Sequence, residues 1–119
     1  MALPHARPGQ PIDISPLGDA LATSASHAIL KTNALELIRL VLRRGQTLPP
    51  HNIYGDSTLH CLEGVVCVEA AGGSIEIRQG QLVLVPALAE YSLRALEDAS
   101  LLFTIQLPQG KPGSASSTT

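Results

Sequence analysis

The chain has 119 residues and a mass of 12.5 kDa, room for one domain that buries about two thirds of its extended surface on folding. Hydrophobic residues make up 45% and charged ones 15%, which excludes a disordered chain of high charge. Eight Lys and Arg against ten Asp and Glu give a net charge of -2, and with two Tyr, one Phe and no Trp the chain offers nucleic acid neither a basic footprint nor a stacking platform.

Residues 1–12 carry Pro4, Pro8, Gly9 and Pro11, and residues 108–119 read PQGKPGSASSTT, so both ends are expected to be arms on a body spanning 13–107. The start lacks the apolar core of a signal peptide, and no apolar run reaches the roughly 18 residues of a membrane span. The expectation is a cytoplasmic protein with no membrane partner. Ser15-Pro16 followed by LGDAL predicts an N-cap, a proline at the first helical position and a short helical turn. From residue 27 the chain divides into eight β-rich runs, HAILKT, ALELIRLVLR, STLHCL, VVCVEA, SIEIR, QLVLVP, YSLRAL and SLLFTIQL. Asn33, a long GQTLPPHNIYGD loop, Glu63-Gly64, Ala71-Gly72-Gly73, Gln79-Gly80, Ala87-Leu88-Ala89 and Glu97-Asp98-Ala99 separate them. Short strands with turn signals at this spacing predict an all-β sandwich or barrel.

Alternation along the strands sorts side chains to faces. Ile38, Leu40 and Leu42 share one face while Leu37 and Val41 share the other with Arg39, and LVLV at 82–85 is apolar on both. A barrel covers only its interior, so strands apolar on both faces predict a homodimer that packs on the outer sheet, with cover by the N-terminal arm as the alternative.

Residues 45–95 resemble a cupin. That family's first motif runs from a glycine through five residues to His-x-His, then three or four to a Glu, then six to a glycine; Gly45, His51 and Gly64 match it. Its second runs from a glycine through five residues to Pro-x-Gly, two more to a His and three more to an Asn; Gly80 and Pro86 match it. Pro49-Pro50 before His51, LHCLEG and GQLVLVPA also resemble small single-domain members. The resemblance implies a cupin-type double-stranded β-helix, a jelly-roll-like barrel.

Three of the four ligand places of the family's metal centre have changed. Ile53 stands at the second histidine, Ser57 at the glutamate and Tyr91 at the second-motif histidine, while Leu88 and Ala95 replace that motif's glycine and asparagine. A slip of one residue would bring Thr58 or Glu90 to the ligand places. A lone imidazole binds divalent iron, manganese or nickel weakly, and a phenol near its ordinary pKa of about 10 must lose its proton to coordinate. The expectation is therefore no cofactor and no metal; the alternative is a divalent transition metal on His51 and Tyr91. Three functions follow: a metal-free module that takes a small, largely apolar molecule in a barrel cavity lined by His51, Ser57, Leu59, Cys61, Tyr91 and Leu93, a metal-dependent oxygenase or isomerase of the kind the resemblance implies, or a dimeric scaffold with a filled barrel. His51 reads equally as a mouth histidine bonded to a hydroxyl or water and as a ligand contact.

If Glu63-Gly64 is a two-residue hairpin turn, Leu62 pairs with Val65, Cys61 with Val66 and His60 with Cys67. His60 and Cys67 then face outward, where half-buried packing outweighs a zinc site shared across a dimer. Cys61 faces inward and reads as a buried small hydrophobe rather than a nucleophile, and a disulfide between the cysteines is not expected. Arg43 and Arg44 read as a solvated strand end, and Arg39 as a salt-bridge partner rather than an anion site.

Overall fold

The computed structural model describes residues 6–51, 54–70 and 72–108, and for residues 49–51 the backbone alone. Nine strands form among them: β1 His27–Lys31, β2 Leu35–Leu42, β3 Thr47–His51, β4 Ser57–Glu63, β5 Val65–Ala70, β6 Gly73–Arg78, β7 Leu82–Val85, β8 Tyr91–Ala95 and β9 Ala99–Gln106. They build two antiparallel sheets, one in the order β1-β2-β9-β4-β7 and one in the order β3-β8-β5-β6. Alternation decides the faces. Ile38, Leu40 and Leu42 turn inward with Leu59, Cys61, Leu101, Phe103 and Ile105, and meet Val66, Val68, Ile77, Leu93 and Tyr91 of the other sheet. The Tyr91 and Phe103 rings cross edge to face at 77° with centroids 6.3 Å apart, the geometry their quadrupoles favour.

Three sequence expectations are corrected. The strand β3 lies inside the stretch expected to be one long loop. Its two prolines hide it, yet β3 is an edge strand with a register shift between Leu48 and His51, which is where a sheet tolerates residues that cannot donate.

The Glu63-Gly64 hairpin does not form. Strands β4 and β5 belong to different sheets, so His60 pairs with Leu82 and Leu102, and Cys67 with Glu76 and Arg94. Gly64, at φ 84°, sits where a Cβ would collide with the Asp98 carbonyl, so the chain crosses between sheets there against the β8–β9 turn. Cys61 and Cys67 are both free.

The helical turn begins later than expected, as a 3-10 helix over Gly18–Thr23 with Leu17 at the N-cap and no side-chain cap bond. Its leading N–H groups find a distant cap instead: Leu17 and Gly18 donate to the Glu63 carboxylate at 2.8 and 3.1 Å. Ser15 is drawn away from capping, its N–H to Asp13 and its carbonyl to Arg39. Ahead of it, the Ala6 N–H bonds the Ile29 carbonyl of β1 at 3.0 Å. The expected C-terminal arm lies, from residue 109, outside the described residues. Among the described residues no helix is long and apolar enough to cross a membrane.

Candidate functional site

His51 and Tyr91, the two positions around which the motifs turn, are register partners on β3 and β8. Ala70 of β5 flanks Tyr91 on its other side. Ser57 opens β4 between Val85 of β7 and Ile105 of β9. The same register places the residues that a slip of one position would bring to the ligand places. Thr58 alternates to the outer face beside Leu84 and Thr104, and Glu90 is exposed ahead of β8. The His51 side chain and Ile53 lie outside the described residues.

Ser57, Leu59, Cys61, Tyr91 and Leu93 converge between the sheets, each no more than 3% exposed. All but Ser57 belong to the packed core cluster. Burial pushes the Tyr91 phenol far above its ordinary range. Burial also pushes the Cys61 thiol up, and its Sγ donates to the carbonyls of Glu63 and Gly64 at 3.4 Å. A thiol held this way is a small hydrophobe and a poor nucleophile. The Ser57 hydroxyl donates to the Val85 carbonyl at 3.5 Å.

Open space lies one residue column away, in a slot of about 250 Å³ lined by Val68, Ile75, Val83, Val85, Pro86 and Ala89 among others. Strands β6 and β7 are the outermost members of their sheets, so the slot is where the two sheets part. Its walls are cross-strand neighbours of the expected residues: Val83 pairs with Leu59, Val85 with Ser57, Val68 with Leu93 and Ala70 with Tyr91. Polar groups are few, chiefly the backbone edges of β6 and β7, since alternation with Ile75 and Ile77 turns the Ser74 side chain to the outer face. Sequence alternation finds these residues as inward-facing but does not say which strands stand at sheet edges, and only an edge leaves room.

A wider groove of about 700 Å³ runs outside the five-stranded sheet between residues 6–13 and β1, with Arg39 and His27 in its wall. Arg39 is 4% exposed and engaged elsewhere, donating to Ser15 O and Ser100 Oγ and standing 3.7 Å from the Glu63 carboxylate. Ser100 in turn donates to Glu63. Burial raises the Glu63 carboxyl, but the Leu17 N–H, the Ser100 hydroxyl, the Gly18 N–H and the Arg39 charge together outweigh it and hold the group below its ordinary range. The cluster pins residues 13–23 to the sheet. Arg39 was expected to be a salt-bridge partner and is one, whereas Glu63 and Ser100 gave no sequence signal, since their partners lie 24 to 61 residues away.

No family model and no curated protein matches the chain. Solved structures do. A cupin-superfamily protein from Desulfitobacterium hafniense superposes with a TM-score of 0.72 at 16% identity, covering 87% of this chain and all of its own, 100%. The chain has the cupin fold. A conserved Streptococcus pyogenes protein of unknown function shares that fold, with a TM-score of 0.71 at 18% identity over 92% of this chain and 97% of its own. So does an RmlC-like cupin from Shewanella frigidimarina, at 0.66 and 14% over 71% and 76%.

The cupin frame gives a test of metal binding. Ser57 and Tyr91, which the motif resemblance sets at two of the family's four ligand places, are neutral hydroxyls, Ser57 bonded to a carbonyl and Tyr91 held protonated by burial. Among the described residues no three His, Cys, Asp or Glu side chains come together. This donor set does not fit a divalent iron, manganese or nickel centre, which needs three or four converging nitrogen and anionic oxygen ligands.

Proposed function

We propose that this cupin barrel is a non-enzymatic binding module that takes a small, largely apolar molecule in the slot between β6 and β7 without a resident metal. The observation that carries the reading is the slot itself: about 250 Å³, walled by Val68, Val83, Val85, Pro86 and Ala89, beside a barrel interior that is otherwise packed. Pockets for drug-sized ligands span roughly 300–1,000 Å³, so the occupant is smaller, with an apolar body and one or two hydrogen-bonding groups. The backbone edges of β6 and β7 supply its polar contacts.

The test is a screen of fragment-sized compounds by amide chemical shift on the full chain, after elemental analysis of dialysed, tag-free protein. Compounds with short aliphatic or aromatic bodies are expected to move amides of β6, β7 and residues 86–89. Ala89→Phe, which fills the slot, is expected to abolish the response. Near-stoichiometric metal, or a response that survives in Ala89→Phe, overturns the proposal; no hit at all favours a filled scaffold.

A further inference from the structure

Residues 6–15 run along the outer side of β1 and are tied down at both ends, the Ala6 N–H to the Ile29 carbonyl and the Ser15 carbonyl to Arg39. Between those points a turn closes from Arg7 to Gln10, with Gly9 supplying its left-handed backbone at φ 80°. Pro8 and Pro11 have no N–H to offer a neighbouring strand, so the segment arches past β1, which stays the edge of its sheet. The groove of about 700 Å³ is the space this arch leaves.

Arg39 and His27 are register partners on β2 and β1, and both line that groove. The contacts of Arg39 with Ser15, Ser100 and Glu63 all leave from Nη2. Its Nε, in a side chain only 5% exposed, is the one buried side-chain polar atom among the described residues with no hydrogen-bond partner. A guanidinium N–H shut away from water without an acceptor forfeits its hydration, so an orphan of this kind in the wall of an open groove marks a place for a ligand oxygen.

The surrounding charges select the ligand. Arg7, Arg39 and Asp13 line the groove, and the Glu63 carboxylate stands 3.7 Å behind Arg39. Hydrogen bonds from Ser15 hold the Asp13 carboxyl below its ordinary range, and the Arg39 charge adds to that, so Asp13 is ionised at neutral pH. Two cations against two carboxylates leave no net charge. A simple anion would meet Asp13 and a simple cation would meet Arg7 and Arg39, whereas a zwitterion satisfies both signs. Ile12 and Ile29 add apolar wall.

We propose that this groove binds a small zwitterion of the α-amino acid class, with its carboxylate accepting from Arg39 Nε, its ammonium toward Asp13 and an apolar side chain against Ile12 and Ile29. The same guanidinium then serves twice, Nη2 in the salt bridge and Nε in the groove. The groove shares no lining residue with the slot between β6 and β7, so neither site depends on the other.

Amide chemical-shift titrations of the full chain test this with three compounds of one carbon skeleton: leucine, 4-methylpentanoate, which lacks the ammonium, and 3-methylbutylamine, which lacks the carboxylate. Leucine is expected to move amides of residues 7–13, 27–29 and 39 saturably by about 50 mM, and to bind more tightly than either of the others. Arg39→Lys, which keeps a charge opposite Glu63 but has no second nitrogen for the groove, is expected to weaken leucine about tenfold or more, with circular dichroism confirming its fold. Asp13→Asn, on the exposed arm and still able to accept from Ser15, is expected to weaken leucine about two- to fivefold while strengthening 4-methylpentanoate, a reversal that lost structure alone would not give. Ala89→Phe in the slot should leave all three titrations unchanged. No saturable response to leucine, equal affinity for leucine and 4-methylpentanoate in the wild type, or a folded Arg39→Lys that binds leucine as the wild type does, overturns the proposal.

Discussion

Glu63 is the residue on which most of the buried polar chemistry converges. It is 8% exposed, accepts from two backbone N–H groups and the Ser100 hydroxyl, and faces Arg39. Its carboxyl lies below the ordinary value of 4.5 when folded. A depressed carboxylate stabilises the fold fully above its unfolded pKa and loses that contribution as pH falls through the folded value. Stability measured by denaturant should therefore decline as pH drops below about 4.5, whereas Glu63→Gln should be flatter there and weaker at pH 7 by about 1–3 kcal/mol. Parallel declines in the two proteins would place the acid sensitivity elsewhere. Beyond the reading of Arg39 as a salt-bridge partner, none of this was readable in the sequence, because the bonds join segments that no local pattern connects. Ser57 and Tyr91 were readable for the opposite reason: motif spacing and strand alternation, both local, place them inward at the start of β4 and β8. Burial of Cys61 yields a further expectation at this scale. Its raised, fully covered thiol should resist alkylation at neutral pH until the protein is denatured, as peptide mass spectrometry would report.

At the level of elements, the turns explain where sequence reasoning succeeded. The β5–β6 hairpin is local, closing from Ala70 to Gly73, and its Gly-Gly signal was sufficient. The β4–β5 junction carries an equally good Glu-Gly signal, yet the two strands part into different sheets, because β4 finds more partners in β7 and β9 than β5 alone would give. Gly64 separates the two requirements a glycine can meet. Gly45 has the same left-handed backbone, φ 82° against 84°, but open space beside its Cα. Gly45→Ala should thus show the backbone strain alone, about 1–2 kcal/mol. Gly64→Ala adds a collision with the Asp98 carbonyl and should exceed it by at least another 1–3 kcal/mol of overpacking. Equal urea midpoint shifts for the two variants would mean that the β8–β9 turn yields freely.

For the whole molecule, the consequence of two sheets closing on one core is that stability and binding reside in different places. Strand β9 lies between β2 and β4, and its Leu101 is fully covered, opposite Leu40 on one side and Cys61 on the other. The slot lies at the far margin, between the last strand of each sheet, where Ala89 is only half-buried. Truncating Leu101 removes contacts at the centre and should cost about 2–5 kcal/mol, a large share of the 5–15 kcal/mol that holds a domain of this size. Since no slot wall touches that position in the register, Leu101→Ala should still respond to the fragments that the wild type binds at temperatures where it remains folded. Ala89→Phe should do the reverse, losing the response with a urea midpoint near that of the wild type. Were Leu101→Ala to lose binding while still folded, the slot would be a property of the packed core rather than of the parted edge, and the division of the barrel into scaffold and site would fail.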